Sequence, residues 1–223
     1  MTFDNKISII LPTLNEEKNL KILVPEISSL FENDLKLEYE IIVVDDGSTD
    51  STNEYISSLM KNNKSIKLIQ RDKEKSLPLS ILDGIKSSQF DNVMWLDADG
   101  SMTVKAMKKL VICYFTNIKN EEKKVIVGSR FIEGGGYKGV KDVKNQSLFK
   151  SIQNVRKSND SVFGMLLSIL INKTLSFLFR TNLTDLTSGF ILIDKNFIDE
   201  KVFKGKDYGE YFIYLLGDLI SKN

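Results

Sequence analysis

Asp97 and Asp99 stand one residue apart in Asp97-Ala98-Asp99, directly after the apolar run Val93-Met94-Trp95-Leu96. A short apolar run of this kind reads as a buried strand. In extended chain alternate residues point to the same side, so the two carboxylates share a side at the strand's carboxyl end. Open α/β sheets bind their ligands there. Paired carboxylates suit a hard divalent cation, and the cation suits a diphosphate. The triplet alone is also an ordinary turn sequence. It gains weight from a second acidic strand end, Asp45-Asp46, after Ile41-Ile42-Val43-Val44. Two strands ending in paired acids imply one polar site, for a nucleotide diphosphate and its metal.

The rest of the composition narrows the chemistry. The chain has 223 residues and no histidine. Ser-His-Asp and Cys-His catalysis are therefore excluded, and a zinc site is disfavoured. The chemistry falls to carboxylates, Lys, Arg, Tyr, a metal or groups on the substrate. A net charge of +1 argues against a strongly electrostatic nucleic-acid binder. The single cysteine, Cys113, allows no intrachain disulfide and fits a reducing compartment. Its apolar neighbourhood, Leu110 to Phe115, predicts a buried position. Met1 to Lys6 is polar and a strand follows at once, so no signal peptide is read. Val162 to Phe179 is apolar but interrupted by Ser168, Asn172, Lys173, Thr174 and Ser176. A membrane span needs about 20 largely apolar residues. The segment reads either as a helix lying on a membrane surface or as an ordinary buried helix.

The elements that must position the acids follow from periodicity. Strands are predicted over Ile7 to Leu11, Glu40 to Val44, Ile66 to Ile69, Val93 to Leu96, Val125 to Val127 and Ile191 to Ile193. Helices are predicted over Glu16 to Phe31, from Asp50 or Ser51 to about Lys61, and over Leu79 to Ser87, Thr103 to Phe115 and Tyr208 to Ile220. This alternation implies an α/β fold, a mostly parallel sheet with helices on both faces. The regularity ends after Val127. Gly134-Gly135-Gly136 follows Gly128-Ser129-Arg130, and residues 137 to 160 are polar and Lys-rich. A loop of that length is functional or disordered.

Five segments, in this order, carry a resemblance. They are Leu11-Pro12-Thr13-Leu14-Asn15-Glu16-Glu17, Val43-Val44-Asp45-Asp46-Gly47-Ser48-Thr49-Asp50, Leu96-Asp97-Ala98-Asp99-Gly100, Gly128-Ser129-Arg130 and Asp185-Leu186-Thr187-Ser188-Gly189-Phe190. The set resembles the inverting family 2 glycosyltransferases of GT-A fold. Within them it looks most like the dolichyl- or polyprenyl-phosphate sugar synthases. The resemblance implies a Rossmann-like GT-A domain over residues 1–223. Relatives continue with a further strand and a basic segment, so a C-terminal extension is expected to be lacking. It also implies a nucleotide-diphosphate sugar donor of GDP-mannose or UDP-glucose type, Mg²⁺ or Mn²⁺, and a place at the cytoplasmic face of a membrane.

By resemblance, Pro12, Asn15 and Glu16 lie against the nucleotide base, and Asp45 contacts base or ribose. Asp97 and Ala98 sit near ribose and diphosphate, and Asp99 on the metal. Where some relatives carry a metal-binding Gln, this sequence has Ser101. Where relatives turn on glycines after the third strand, it has Lys73-Glu74-Lys75-Ser76. Arg130, with Ser129, is expected on a phosphate of donor or acceptor, joined by Thr187 and Ser188. Lys138, Lys141, Lys144 and Lys150 add positive charge near the glycine loop, and Lys150 or Arg156 matches an Arg of relatives. Residue types alone also fit a polar turn with a helix cap at 45–50 and a solvated basic loop at 138–150.

The acceptor divides the readings. A hydroxyl acceptor wants a carboxylate base, and Asp185 is the candidate, with Glu210 a weaker one. A lipid phosphate is already anionic and needs no base, so Asp185 would then position neighbouring groups. Three functions stay open: transfer to a polyprenyl phosphate, transfer to a hydroxyl of a glycan or other acceptor, and a catalytically silent binding domain.

Overall fold

The computed structural model describes residues 6–116, 125–132, 136–137, 140–141, 162–206 and 209–222. Its centre is a six-stranded sheet of order β3-β2-β1-β4-β8-β5. The strands are β1 (Lys6–Thr13), β2 (Glu38–Asp45), β3 (Ile66–Gln70), β4 (Asn92–Trp95), β5 (Val125–Val127) and β8 (Ile191–Asp194). β1 to β4 pair in parallel, and β8 runs against both its neighbours. The expected mostly parallel α/β sheet is present. The antiparallel β8 is the feature that periodicity could not supply, because strand direction leaves no mark on a four-residue apolar run.

Side-chain alternation builds a core on each face. Ile7, Ile9, Leu11, Ile41, Val43, Met94 and Leu192 pack with helices α1 (Glu17–Ser29), α2 (Thr52–Met60) and α4 (Val104–Thr116). Ile10, Ile42, Val44, Val93, Trp95, Ile191 and Ile193 pack with α3 (Leu77–Ser87) and the last helix, α6 (Glu210–Ser221). The central strands are buried on both faces, which is why they read as continuous apolar runs. A Cβ on Gly84 would stand 2.5 Å from the Ile10 side chain, so glycine lets α3 seat closely on β1.

Several boundaries differ from expectation. The helix predicted to Phe31 ends at Ser29 and passes into a wider π-type turn, Leu30–Leu35, closed by Lys36 at φ 52°. Gly136 stands in a short strand, β6 (Gly136–Tyr137), paired antiparallel with β7 (Val140–Lys141). Gly134, Gly135, Lys138, Lys144, Lys150, Arg156 and Tyr208 lie outside the described residues, as does the side chain of Lys141. Cys113 is exposed, not buried. Met107, Leu110, Val111 and Tyr114 form the inward stripe of α4, and position 113 falls on its outer side. The apolar segment forms α5 (Val162–Leu178). Among the described residues no helix is long and apolar enough to cross a membrane.

Candidate active site

Strands β1 and β4 lie side by side, with β2 and β3 on one flank and β8 and β5 on the other. The order reverses between them, the place where such sheets open a crevice. A cleft of about 430 Å³ lies at the carboxyl ends there. Pro12, Thr13, Leu14 and Glu16 line it after β1, and Asp97, Ala98 and Asp99 after β4. Asp46 and the start of α3, with Lys75, Ser76 and Ser80, form another part, and Lys206 borders it. Ala98 is buried, Asp97 half-buried and Asp99 exposed. The Asp99 carboxylate accepts the Ser101 backbone N–H at 2.8 Å, which orients one oxygen. Thus Ser101 acts here through its backbone.

Among the described residues no group of three or more carboxylate, cysteine or histidine side chains is placed to hold a metal alone. Two carboxylates of hard oxygen on an open cleft fit Mg²⁺ or Mn²⁺ in another way. Such ions commonly take one or two carboxylates and complete their shell with water and substrate phosphate.

Asn15 and Asp45, two expected nucleotide residues, are placed outside the lining of the cleft and build its rim. Asp45 is 1% exposed. Its carboxylate accepts from the Gly47 and Ser48 backbone N–H groups at 3.2 and 3.0 Å, from the Ser48 hydroxyl, and from Asn53 Nδ2 at 3.0 Å. Those bonds close the turn in which Gly47 takes φ 86°. Asn15, at φ 58°, a conformation Asn tolerates better than most residues, accepts the Thr49 and Asp50 N–H groups on Oδ1. Its own N–H donates to Ser48 Oγ at 2.8 Å. Asp50 accepts from the Glu17 and Thr52 N–H groups, and a hydrogen bond from the Thr52 side chain, ahead of these, holds its carboxyl below the usual range. The loops after β1 and β2 are therefore laced into one unit.

Sequence reasoning missed Arg71. This residue follows β3, and its side chain is 2% exposed. Its Nη1 donates to Asp46 Oδ1 and, at 3.1 Å, to Ser80 Oγ, while Nε donates to Asp83 at 2.9 Å. Asp46 Oδ2 accepts the Ser76 N–H at 2.5 Å. Three cleft residues, Asp46, Ser76 and Ser80, thus hang on one buried guanidinium. The signal was weak: a lone Arg after a strand, in a loop lacking the expected glycines. Lysine cannot reproduce this fork. Arg71→Lys should loosen the cleft wall, weakening binding of the nucleotide expected there about tenfold and costing roughly 2 kcal/mol of stability. Titration calorimetry with GDP and UDP, beside thermal melts, checks this; unchanged affinity would defeat it.

A second polar cluster forms where β5 ends against the segment before β8. Gly128 donates its N–H to the Phe190 carbonyl at 2.8 Å, and a Cβ there would stand 2.3 Å from the Phe190 ring. Glycine permits this approach, which brings Arg130 over Asp185. The pair is bidentate: Nε to Oδ2 at 2.8 Å and Nη2 to Oδ1 at 2.9 Å, the strong geometry for guanidinium and carboxylate. The Arg130 backbone N–H adds a bond to Oδ2, and Thr187 donates through its N–H and hydroxyl to Oδ1. Asp185 is buried completely, whereas the Arg130 side chain is 31% exposed. Ser129 Oγ meets Thr184 Oγ1 at 2.7 Å. Ser188 accepts the Phe190 N–H and stands outside the Arg130 contacts. Glu210 begins α6. So Pro12, Glu16, Asp97, Ala98 and Asp99 meet in the cleft, and Arg130, Asp185 and Thr187 in the second cluster.

The reversed strand order, the acidic cleft at the switch point and the arginine cluster beside β8 define a GT-A-type α/β protein. The family model for glycosyl transferase family 2 matches residues 8–200, and the chain belongs to that family. Over 130 residues it is 36% identical to a dolichol-phosphate mannosyltransferase of Pyrococcus furiosus, covering 58% of this chain and 34% of that one. Over 128 residues it is 28% identical to a dolichyl-phosphate beta-glucosyltransferase of Trichomonas vaginalis, covering 56% and 40%. The chain thus spans about a third to two fifths of the length of these curated relatives. Among solved structures, S. aureus TarS 1-349 superposes with a TM-score of 0.55 at 20% identity, over 96% of this chain and 55% of that one. Glucosyl-3-phosphoglycerate synthase from Mycobacterium tuberculosis, in complex with Mn²⁺, UDP and phosphoglyceric acid, gives 0.53 at 16% identity, over 86% and 57%. Both likenesses concern the fold.

Proposed function

We propose that this chain is a single catalytic domain that moves a sugar, with inversion, from a nucleotide-diphosphate sugar to a polyprenyl or dolichyl phosphate. One observation carries the reading: an acidic pair and two lysines share one cleft, while a partly exposed arginine is held ready at a separate cluster. The first suits a donor diphosphate with its cation, the second an anionic acceptor. The relatives named for dolichol phosphate support the acceptor class. The Mn²⁺ bound in a fold neighbour supports a divalent cation.

The roles follow from chemistry. The acceptor oxygen attacks the anomeric carbon opposite the diphosphate; that bond forms as the carbon–diphosphate bond breaks, and negative charge passes to the leaving group. A cation held by Asp99 and Asp97 would supply Lewis-acid stabilisation of that charge. Lys75 and Lys206 border the same cleft and add fixed positive charge. Pro12 and Glu16 flank the base, and the lacing of Asn15 through Ser48 to Asp45 fixes the loop that carries them. Arg130 offers its exposed edge to the acceptor phosphate, with Ser129 next to it in the chain and Thr187 bonded to it. Helix α5 exposes Leu166, Leu167, Leu170, Ile171, Phe177 and Leu178, which suits shallow burial in the cytoplasmic face of a membrane.

The test is a transfer assay with labelled GDP-mannose and UDP-glucose, Mn²⁺ or Mg²⁺, with and without a short polyprenyl phosphate. Metal-dependent transfer to the lipid is expected and names the sugar. Metal-dependent donor binding with transfer only to a hydroxyl would replace the acceptor. Absence of donor binding would leave a silent domain.

A further inference from the structure

The apolar helix α5 carries one polar side chain that is driven inward. Asn172 is 2% exposed, while Phe177 on the same helix is 82% exposed. Asparagine is a mediocre helix former, and an apolar residue would fill a packing position at lower cost. What Asn172 does is specific. Its Oδ1 accepts the Leu186 N–H at 2.6 Å. That contact fixes the amide orientation and aims Nδ2 at the Ser168 carbonyl, 2.9 Å, and at Thr187 Oγ1, 3.0 Å. Both amide hydrogens are then used.

Thr187 Oγ1 is the junction. It accepts from Asn172 Nδ2 and from Arg130 Nη2 at 2.8 Å, and donates to Asp185 Oδ1 at 3.2 Å. One hydrogen and two lone pairs are all a hydroxyl has, so the three contacts fix its orientation. A helix whose outer side is largely apolar is thereby joined, through one amide and one hydroxyl, to the guanidinium of Arg130. We propose that Asn172 is a positioning residue that ties the seating of α5 to the placement of Arg130. The inference rests on the reading of Arg130 as an acceptor-phosphate group.

The experiment uses the full chain with two variants. Asn172→Asp keeps the oxygen that accepts from Leu186 but at neutral pH has no hydrogen for Thr187. Asn172→Leu removes both links. With a polyprenyl phosphate acceptor, Asn172→Asp should raise the acceptor KM about tenfold and leave the donor KM within about twofold. Binding to anionic lipid vesicles should be unchanged, since the outer side of α5 is untouched. Thr187→Val should reproduce the effect, and the double variant should not exceed either alone, because both act through one hydroxyl. Unchanged acceptor KM, or equal changes in both KM values, overturns the proposal.

Hydrogen exchange separates this from the reading on which it rests. In Asn172→Leu, amide exchange should rise over residues 184–188 and also over 128–132, where the Arg130 N–H is bonded to Asp185, and stay unchanged over β1. A rise confined to 184–188 overturns the coupling. If the wild-type chain transfers nothing to polyprenyl phosphate, the acceptor reading fails, and exchange at 128–132 still decides the coupling.

Discussion

Asp99→Asn should lower metal-supported turnover about a thousandfold, roughly 4 kcal/mol of barrier, while the fold persists. Asp99 is exposed in the turn after β4, away from both cores, so its replacement strands no buried charge. Asn keeps an oxygen that can accept the Ser101 N–H, so the turn survives. What disappears is the negative charge proposed to hold a hard cation against the departing diphosphate. The loss should sit in kcat and in the metal concentration needed for half activity. Thermal melts of the two proteins should agree within a few degrees. Normal turnover in Asp99→Asn would sink the metal assignment. A collapsed melt would instead give the carboxylate a structural duty.

The contrast with Asp45 shows how much of the site could be read from the chain. Asp45 ends an apolar strand and Asp99 follows one, and both belong to polar turns. Periodicity placed them at strand ends correctly, because β1, β2 and β4 are buried on both faces and must read as apolar runs. It could not say which carboxylate turns inward. Asp45 is consumed by Gly47, Ser48 and Asn53, while Asp46, one residue on, faces the cleft. That choice depends on where the chain bends, which Gly47 sets through its positive φ. Arg71 was illegible for a related reason. Its partners Asp46, Ser76, Ser80 and Asp83 come together only when β3 is laid beside β2 and α3 folds back. Asn172 was read only as an interruption in an apolar stretch. Its partners on residues 186 and 187 lie one loop away, where no helical period reaches. The alternation of apolar runs did foretell the parallel part of the sheet, and four of the five motifs fall at a strand end or just beyond one, the fifth leading into β8. The reversal of β8 had no such mark.

Arg130 and Asp185 should respond unequally to removal. Arg130→Ala is expected to lower transfer about a thousandfold, because it deletes the group proposed to face an anionic acceptor. Asp185→Asn should cost only about tenfold. In the structure both oxygens of Asp185 are occupied, Oδ2 by the Arg130 N–H and Nε, Oδ1 by Arg130 Nη2 and by Thr187. The side chain is wholly buried. A general base must reach the hydroxyl whose proton it takes, and this carboxylate presents no open oxygen. It serves instead as the seat of Arg130. An Asn there still accepts hydrogen bonds, and the guanidinium, about a third exposed, can turn to water for the charge it loses. The residual activity of Asp185→Asn should therefore keep the wild-type pH profile while the acceptor KM rises. A base-dependent enzyme behaves otherwise: Asp185→Asn would be nearly dead, and its remaining rate would climb with pH as hydroxide replaces the base. The order of the two losses decides what kind of acceptor this site was built for. Arg130 outranking Asp185 favours a phosphate, and the reverse order favours a hydroxyl.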